Sequence, residues 1–369
     1  MTSARIGPHA PEHVQRLSPY VPGKPIGELA RDYGLDEGSI VKLASNENPR
    51  GPSARVRQAI VDAAAEVTRY PDGNGFALKK ALAARFGVTL EQVVLGNGSN
   101  DILELATQAF LLPGDEAVYS QHAFAVYPLA TQARGAKGIA IPAHDLGHDL
   151  VAMRAAVTPR TRIVFVANPN NPTGTWLAPE TVRAFIASVP AEVLVVLDEA
   201  YNEYLEPSQQ ADSASWLAQH PNLLISRTFS KAYGLAGLRV GYGLADAAVS
   251  GMLNRVRQPF NVNSVAQAAA IAALADTEYV VESARLNRAG LVQLMRALDA
   301  IRVTYAPSHA NFLLVHVGDA AAAYESLLRQ GVIVRPVANY GLPEYLRVSV
   351  GLPAENERFL SALRVALGR

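Results

Sequence analysis

Residues Ile163-Val164-Phe165-Val166-Ala167-Asn168-Pro169-Asn170-Asn171-Pro172-Thr173-Gly174 place a run of apolar side chains directly before two Asn-Pro turns. An apolar run without polar alternation reads as a strand buried on both faces, and the Asn, Pro and Gly cluster ends it abruptly. The same texture recurs at Val93–Leu95, Ala117–Ser120, Ile139–Ile141, Leu194–Leu197, Leu223–Ser226 and Val240–Gly243. Helical patterns lie between most of these runs, such as Asp101–Leu112 and Glu180–Ser188, and the gaps suit the helical crossovers that parallel pairing requires. The expected fold is α/β, a large and mostly parallel seven-stranded sheet covered on both faces.

Working outward, residues 1–45 read as an arm punctuated by Pro19, Pro22, Gly23 and Pro25, expected to join a smaller domain. Ser53 looks like the N-cap of a helix to about Val67, with Val56, Ile60 and Val67 on one face. The large domain is expected over 46–275. After Asn263 the texture changes, to an Ala-rich helix (Val265–Leu274) and a longer one (Glu278–Leu298). Strand patterns at Phe312–Val315, Val332–Val334 and Leu346–Val350, with helices at Ala320–Arg329 and Ala354–Leu367, make 276–369 a small α+β domain behind a linking helix.

The 369 residues hold 33 basic and 33 acidic side chains, are 49% hydrophobic and contain no cysteine. Such a chain buries a large core, and its zero net charge offers no field for nucleic acid or an anionic membrane. Disulfides, thiolate metal sites and a cysteine nucleophile are excluded. Met1–Ser18 lacks the apolar core of a secretory signal and no apolar run approaches a membrane span, so the expected location is the cytoplasm.

Four segments at predicted strand ends carry chemistry: Gly96-Asn97-Gly98-Ser99-Asn100-Asp101, Asn168–Gly174, Asp198-Glu199-Ala200-Tyr201 and Thr228-Phe229-Ser230-Lys231. Open α/β sheets bind ligands there. Each segment also has a plainer reading. Leu194–Glu199 resembles the acidic strand of a nucleotide hydrolase, but no phosphate loop accompanies it, and Gly23-Lys24 runs into Pro25. Gly96-x-Gly98 could open a dinucleotide fingerprint, but Asp101 stands at the third glycine position. Asn-Pro-Thr-Gly alone is a turn, and Lys231 alone a surface lysine. His144 and His148 lie in a Gly/Pro-rich stretch with no third ligand, so no metal is expected.

Together, in this order and with Leu346-Arg347-Val348-Ser349-Val350-Gly351, the segments resemble the aspartate-aminotransferase superfamily of pyridoxal-phosphate enzymes, which have fold type I. Ser18-Pro19-Tyr20-Val21-Pro22-Gly23-Lys24-Pro25 and Ser45-Asn46-Glu47-Asn48-Pro49 are similar to its histidinol-phosphate aminotransferase branch. The resemblance runs from about Lys42 to the C-terminus. It implies pyridoxal 5'-phosphate as cofactor, with Lys231 forming the Schiff base and serving as proton-transfer base. Asp198 would face the pyridine nitrogen, and Tyr201 with Asn171 would bond the phenolic oxygen. Gly98, Ser99 and Asn100 at a helix start, with Thr228, Ser230 and Arg239, would cup the phosphate. Phe124 would stack on the ring. Tyr70 would reach the phosphate of a second protomer, making a homodimer with shared sites.

For substrate, the resemblance makes Arg347 the carboxylate clamp, with Asn46 above the substrate and Asn171 within reach of it. Arg335 and Tyr20 are candidates for a substrate phosphate, the plainer reading of Arg335 being a solvated strand-end charge. The leading activity is transamination between L-histidinol phosphate and 2-oxoglutarate, an amino donor and a 2-oxo acid acceptor. An aromatic or prephenate aminotransferase and a phosphothreonine decarboxylase of the same fold are the alternatives. Fusion to a helix-turn-helix regulator is disfavoured by the short arm and zero net charge.

Overall fold

A computed structural model describes residues 9–369, so the start of the expected arm and of the Met1–Ser18 reading lies outside the described residues. Seven strands form the main sheet: β1 (Val93–Gly96), β2 (Glu116–Ser120), β3 (Lys137–Ile141), β4 (Thr161–Ala167), β5 (Leu194–Asp198), β6 (Leu223–Thr228) and β7 (Gly241–Ala245). Their order is β1-β7-β6-β5-β4-β2-β3, and only β7 runs antiparallel to its neighbours. Residues on opposite faces of β4 and β5 enter two different cores. Val164, Val166, Val195 and Leu197 pack on one side, and Ile163, Phe165, Leu194 and Val196 on the other. This two-sided burial is why these strands read as unbroken apolar runs.

A second sheet is antiparallel, with β8 (Tyr305–Ala306), β9 (Phe312–His316), β10 (Arg335–Pro336) and β11 (Tyr345–Ser349) in the order β10-β11-β9-β8. Its own core gathers Leu313, Leu346, Val348 and Phe359. The helix Thr277–Ala300, capped by the Asp276 side chain, feeds Leu291, Leu294 and Leu298 into that core, while Val280 near its start packs on the main one. From the N-terminal arm, Val41–Lys42 pairs in parallel with Val332–Ile333, and Leu29 and Ile40 pack against Leu328 and Ile333.

Several expected boundaries move. The helix capped by Ser53 stops at Ala64 and leaves Val67 exposed. The helix expected from Asp101 to Leu112 runs from Ser99 to Phe110, which puts Ser99 and Asn100 inside its first turn. The single strand expected at Val332–Val334 divides. Val332–Ile333 serves the arm, and Arg335–Pro336 joins β11.

Candidate active site

The carboxyl ends of β4, β5 and β6 open into a cleft, and the second sheet closes its far side. The cleft is lined by Tyr20, Asn46, Ser99, Asn100, Phe124, Asn171, Asp198, Tyr201, Thr228, Ser230, Lys231, Arg239, Arg335 and Arg347. Gly98 lies behind this lining, against the Arg239 guanidinium. Tyr70 is the exception. It is 83% exposed, stacks on Phe260 at 4.8 Å, and does not line this chain's own cleft.

Asp198 ends β5 and is buried. Its Oδ2 accepts a hydrogen bond from the Tyr127 hydroxyl at 2.8 Å, while Oδ1 is buried with no partner. Burial pushes its pKa up to about 6, against the opposing pull of the Tyr127 bond. Lys231 follows β6, and its Nζ donates to the Ser45 carbonyl at 3.1 Å. Desolvation, helped by the Arg347 charge, lowers its pKa to about 8. The Tyr201 ring lies 5.8 Å from that Nζ, and burial lifts its phenol to about 12.

At the cleft's anion-binding end, Gly98 has φ +84° at the entry to the helix Ser99–Phe110, whose first residues, Ser99 and Asn100, line the cleft. A Cβ on Gly98 would collide with Arg239, so the missing side chain lets the guanidinium lie against the loop. Arg239 also donates to Ser230 Oγ at 3.3 Å, and Thr228 Oγ1 accepts from the Ser230 amide at 3.1 Å. Asn97, which carried no expected role, donates its amide to Asp101, and Asp101 also accepts from Asn261 at 2.7 Å. Asp101 therefore staples the loop where a dinucleotide site would want glycine.

Across the cleft, Arg347 alternates with Leu346 and Val348, which enter the core behind it. Its Nη1 donates to Asn171 Oδ1 at 2.6 Å and its Nη2 to the Ala44 carbonyl at 2.7 Å, and Nε is buried without a partner. Arg335 stands directly opposite Arg347 in the β10–β11 register. It is buried rather than a solvated strand end, donates to the Val21 carbonyl, and lies 5.4 Å from the Tyr20 ring. Among the described residues, neither arginine has a carboxylate within ion-pairing distance. Two like charges placed opposite each other and desolvated are unfavourable unless an anion arrives between them.

The donor set fits pyridoxal 5'-phosphate. A buried carboxylate oxygen without a partner suits a protonated ring nitrogen, a softened lysine suits an aldehyde, and a helix start with Arg239 suits a phosphate. Asn171 Oδ1 is held by Arg347, which leaves its amide hydrogens for a ligand. Phe124 is half-buried at the cleft wall, edge-on to Tyr127 at 6.0 Å. Among the described residues, no histidine lines the cleft. His144 is exposed in a tight turn and His148 Nε2 donates to the Ala167 carbonyl at 2.8 Å.

Two contributors escaped the sequence reading. Tyr127 stands three residues after Phe124, a helical spacing that could have flagged it, and stacks on Phe165 at 4.6 Å. Ser45 acts through its carbonyl, for which a sequence carries no signal.

Residues 38–363 match the family model described as aminotransferase class I and II. The chain is 60% identical to histidinol-phosphate aminotransferase 2 of Ralstonia nicotianae, over 97% of both chains, and 62% identical to the protein of that name from Pseudomonas aeruginosa, over 95% of both. Its structure is similar to that of histidinol-phosphate aminotransferase from Sinorhizobium meliloti, solved in complex with pyridoxal-5'-phosphate. The TM-score is 0.89 and the identity 31%, over 97% of each chain. The cleft and these likenesses lead to one conclusion: the chain belongs to the class I and II aminotransferases.

Proposed function

We propose that the protein transfers the amino group between L-histidinol phosphate and 2-oxoglutarate, with pyridoxal 5'-phosphate, as a step of histidine biosynthesis. The observation that carries the substrate is the unpaired, buried Arg335–Arg347 pair. L-Histidinol phosphate presents a phosphate beside its amine-bearing carbon, and 2-oxoglutarate presents two carboxylates, so both need a strongly cationic wall. The names borne by the relatives, at about 60% identity along nearly the whole chain, support the same choice.

When bound, the cofactor supplies an aldehyde to capture the amine and a ring that withdraws electrons from the bond being broken. The chain's residues do the rest. Asp198 Oδ1, free of partners, would accept from the ring nitrogen and favour its protonated form, while Tyr127 holds the other carboxylate oxygen. Tyr201 and the Asn171 amide would donate to the phenolic oxygen. Ser99, Asn100, Thr228, Ser230 and Arg239 would hold the phosphate. Lys231 Nζ, partly neutral near pH 8, removes the proton from the substrate's Cα. Arg347 orients the substrate anion, Asn46 lies over it, and Arg335 with Tyr20 takes the charge of a phosphate.

The reading extends to a homodimer in the cytoplasm. The exposed Tyr70–Phe260 stack, with Val67 exposed nearby, supports a partner on that face. The test of function is an amino-donor panel with 2-oxoglutarate: histidinol phosphate, phenylalanine, tyrosine and phosphothreonine, with carbon dioxide followed. Histidinol phosphate should give the highest kcat/KM, and Arg335→Gln should lower it at least tenfold more than it lowers phenylalanine. Equal losses for both donors would remove Arg335 from phosphate recognition. A preference for phenylalanine, or carbon dioxide release, would replace the proposed substrate.

A further inference from the structure

Asn46 is buried, lies at φ +54°, and bridges the two halves of the cleft. Its Nδ2 donates to the Tyr201 hydroxyl oxygen at 2.9 Å. Its backbone amide donates to Ser349 Oγ at 2.8 Å, and Ser349 Oγ donates to Asn46 Oδ1 at 2.9 Å. The Asn311 side chain grips the Asn46 carbonyl at 3.0 Å, so the backbone beneath the amide is fixed. Ser349 stands two residues after Arg347 on β11, on the same face of the strand.

A serine hydroxyl has one proton. Because Ser349 Oγ already accepts from the Asn46 amide, its proton has Asn46 Oδ1 as its acceptor. That choice dictates the other end of the carboxamide. The NH2 group must face Tyr201, Tyr201 must accept, and its own proton is left to point elsewhere, into the cleft it lines. The reversed amide would present oxygen to Tyr201 and draw the phenol proton away from the cleft. It would also leave the buried Ser349 proton without an acceptor, which is unfavourable.

We propose that Ser349 is a positioning residue which, by donating to Asn46 Oδ1, fixes the Asn46 amide so that the Tyr201 hydroxyl donates toward the bound cofactor. This rests on the proposed placing of Tyr201 at the cofactor's phenolic oxygen. Ser349 reaches that oxygen only through two intermediaries. The charged and titratable groups that face Tyr201 are Arg347 on β11, Asp198 on β5, Lys231 after β6, and the phenols of Tyr127, Tyr204 and Tyr340. The substitutions that test Ser349 leave all of them in place.

The readout is the pH midpoint at which the visible absorbance of the cofactor-loaded protein changes. A donor to the phenolic oxygen favours the form in which that oxygen carries full negative charge, so losing the donor moves the midpoint upward. Tyr201→Phe sets the full effect. Ser349→Ala should move the midpoint in the same direction, by about one pH unit, and Ser349→Thr, which keeps the hydroxyl, should stay at the wild-type value. In the Tyr201→Phe background Ser349→Ala should add nothing. Ser349→Cys, close in size with a weaker donor, should give a smaller shift of the same sign and serves if the alanine variant does not fold. An unmoved midpoint in folded Ser349→Ala or Ser349→Cys overturns the inference, as does an equal shift with and without Tyr201. A wild-type protein with no visible band after loading would overturn the cofactor reading itself, which is a different result.

Discussion

Asp198 is a buried carboxylate whose Oδ1 has no partner and whose bond from Tyr127, with help from the Ala200 amide, does not offset its burial, so the cofactor-free protein should be strained by its charge. In the folded chain its pKa is about 6 against an ordinary 3.8. A carboxylate whose folded pKa is raised binds its proton more tightly when folded, so stability falls as pH rises from about 4 to about 6 and is level above. The gap of roughly two pH units converts, at about 1.4 kcal/mol each, to about 3 kcal/mol of lost stability at neutral pH. Asp198→Asn removes the charge while keeping an oxygen to accept from Tyr127. The cofactor-free variant should therefore be more stable than wild type by about 3 kcal/mol at pH 7.5, but by only about 1 kcal/mol at pH 4.5. Urea unfolding of both proteins at the two pH values measures this. Pyridoxal phosphate should reverse the order, because the wild-type carboxylate then meets a protonated ring nitrogen, and the variant should lose nearly all transamination. A gain equal at both pH values, or a variant less stable at pH 7.5, would refute the assignment of strain to the Asp198 charge.

Two further outcomes follow from the same cleft. Capture of pyridoxal phosphate by the cofactor-free protein, trapped with borohydride, should quicken with pH and level off above about 8, because only the neutral Lys231 amine attacks. A rate still climbing toward pH 10 would mark an ordinary lysine, and Lys231→Ala should show no trapping there. Tyr127→Phe removes a hydrogen bond to a charged group, worth about 1.5–3 kcal/mol. The bond is present without cofactor, so urea unfolding of the cofactor-free variant at pH 7.5 should show a loss of about that size, and unchanged stability would make Tyr127 a packing residue only.

The buried strands were legible because two-sided burial writes itself as unbroken apolar runs. β4, β5 and β6 lie where Ile163–Ala167, Leu194–Leu197 and Leu223–Ser226 predicted them. Helix ends were less legible, since Val67 continues the apolar spacing that Val56 begins, yet the chain turns away first. The candidate site residues were visible as types, Asp198, Tyr201, Lys231 and Asn171 at or just after strand ends and Arg347 within a strand, and all five line the cleft. Their states were not. Whether Arg335 is a solvated charge or a buried one depends on β10 lying opposite Arg347, a pairing between segments that no local pattern encodes. Tyr127, the Ser45 carbonyl and the Ser349–Asn46 link act through contacts between residues far apart in the chain. The sequence alone thus determined the sheet and the family and named the candidate reacting groups, through periodicity and motif. Only the tertiary structure decided which carboxylate oxygen is free, which arginines lack partners and which side chains meet Asn46, because burial and hydrogen bonding exist only once distant segments meet.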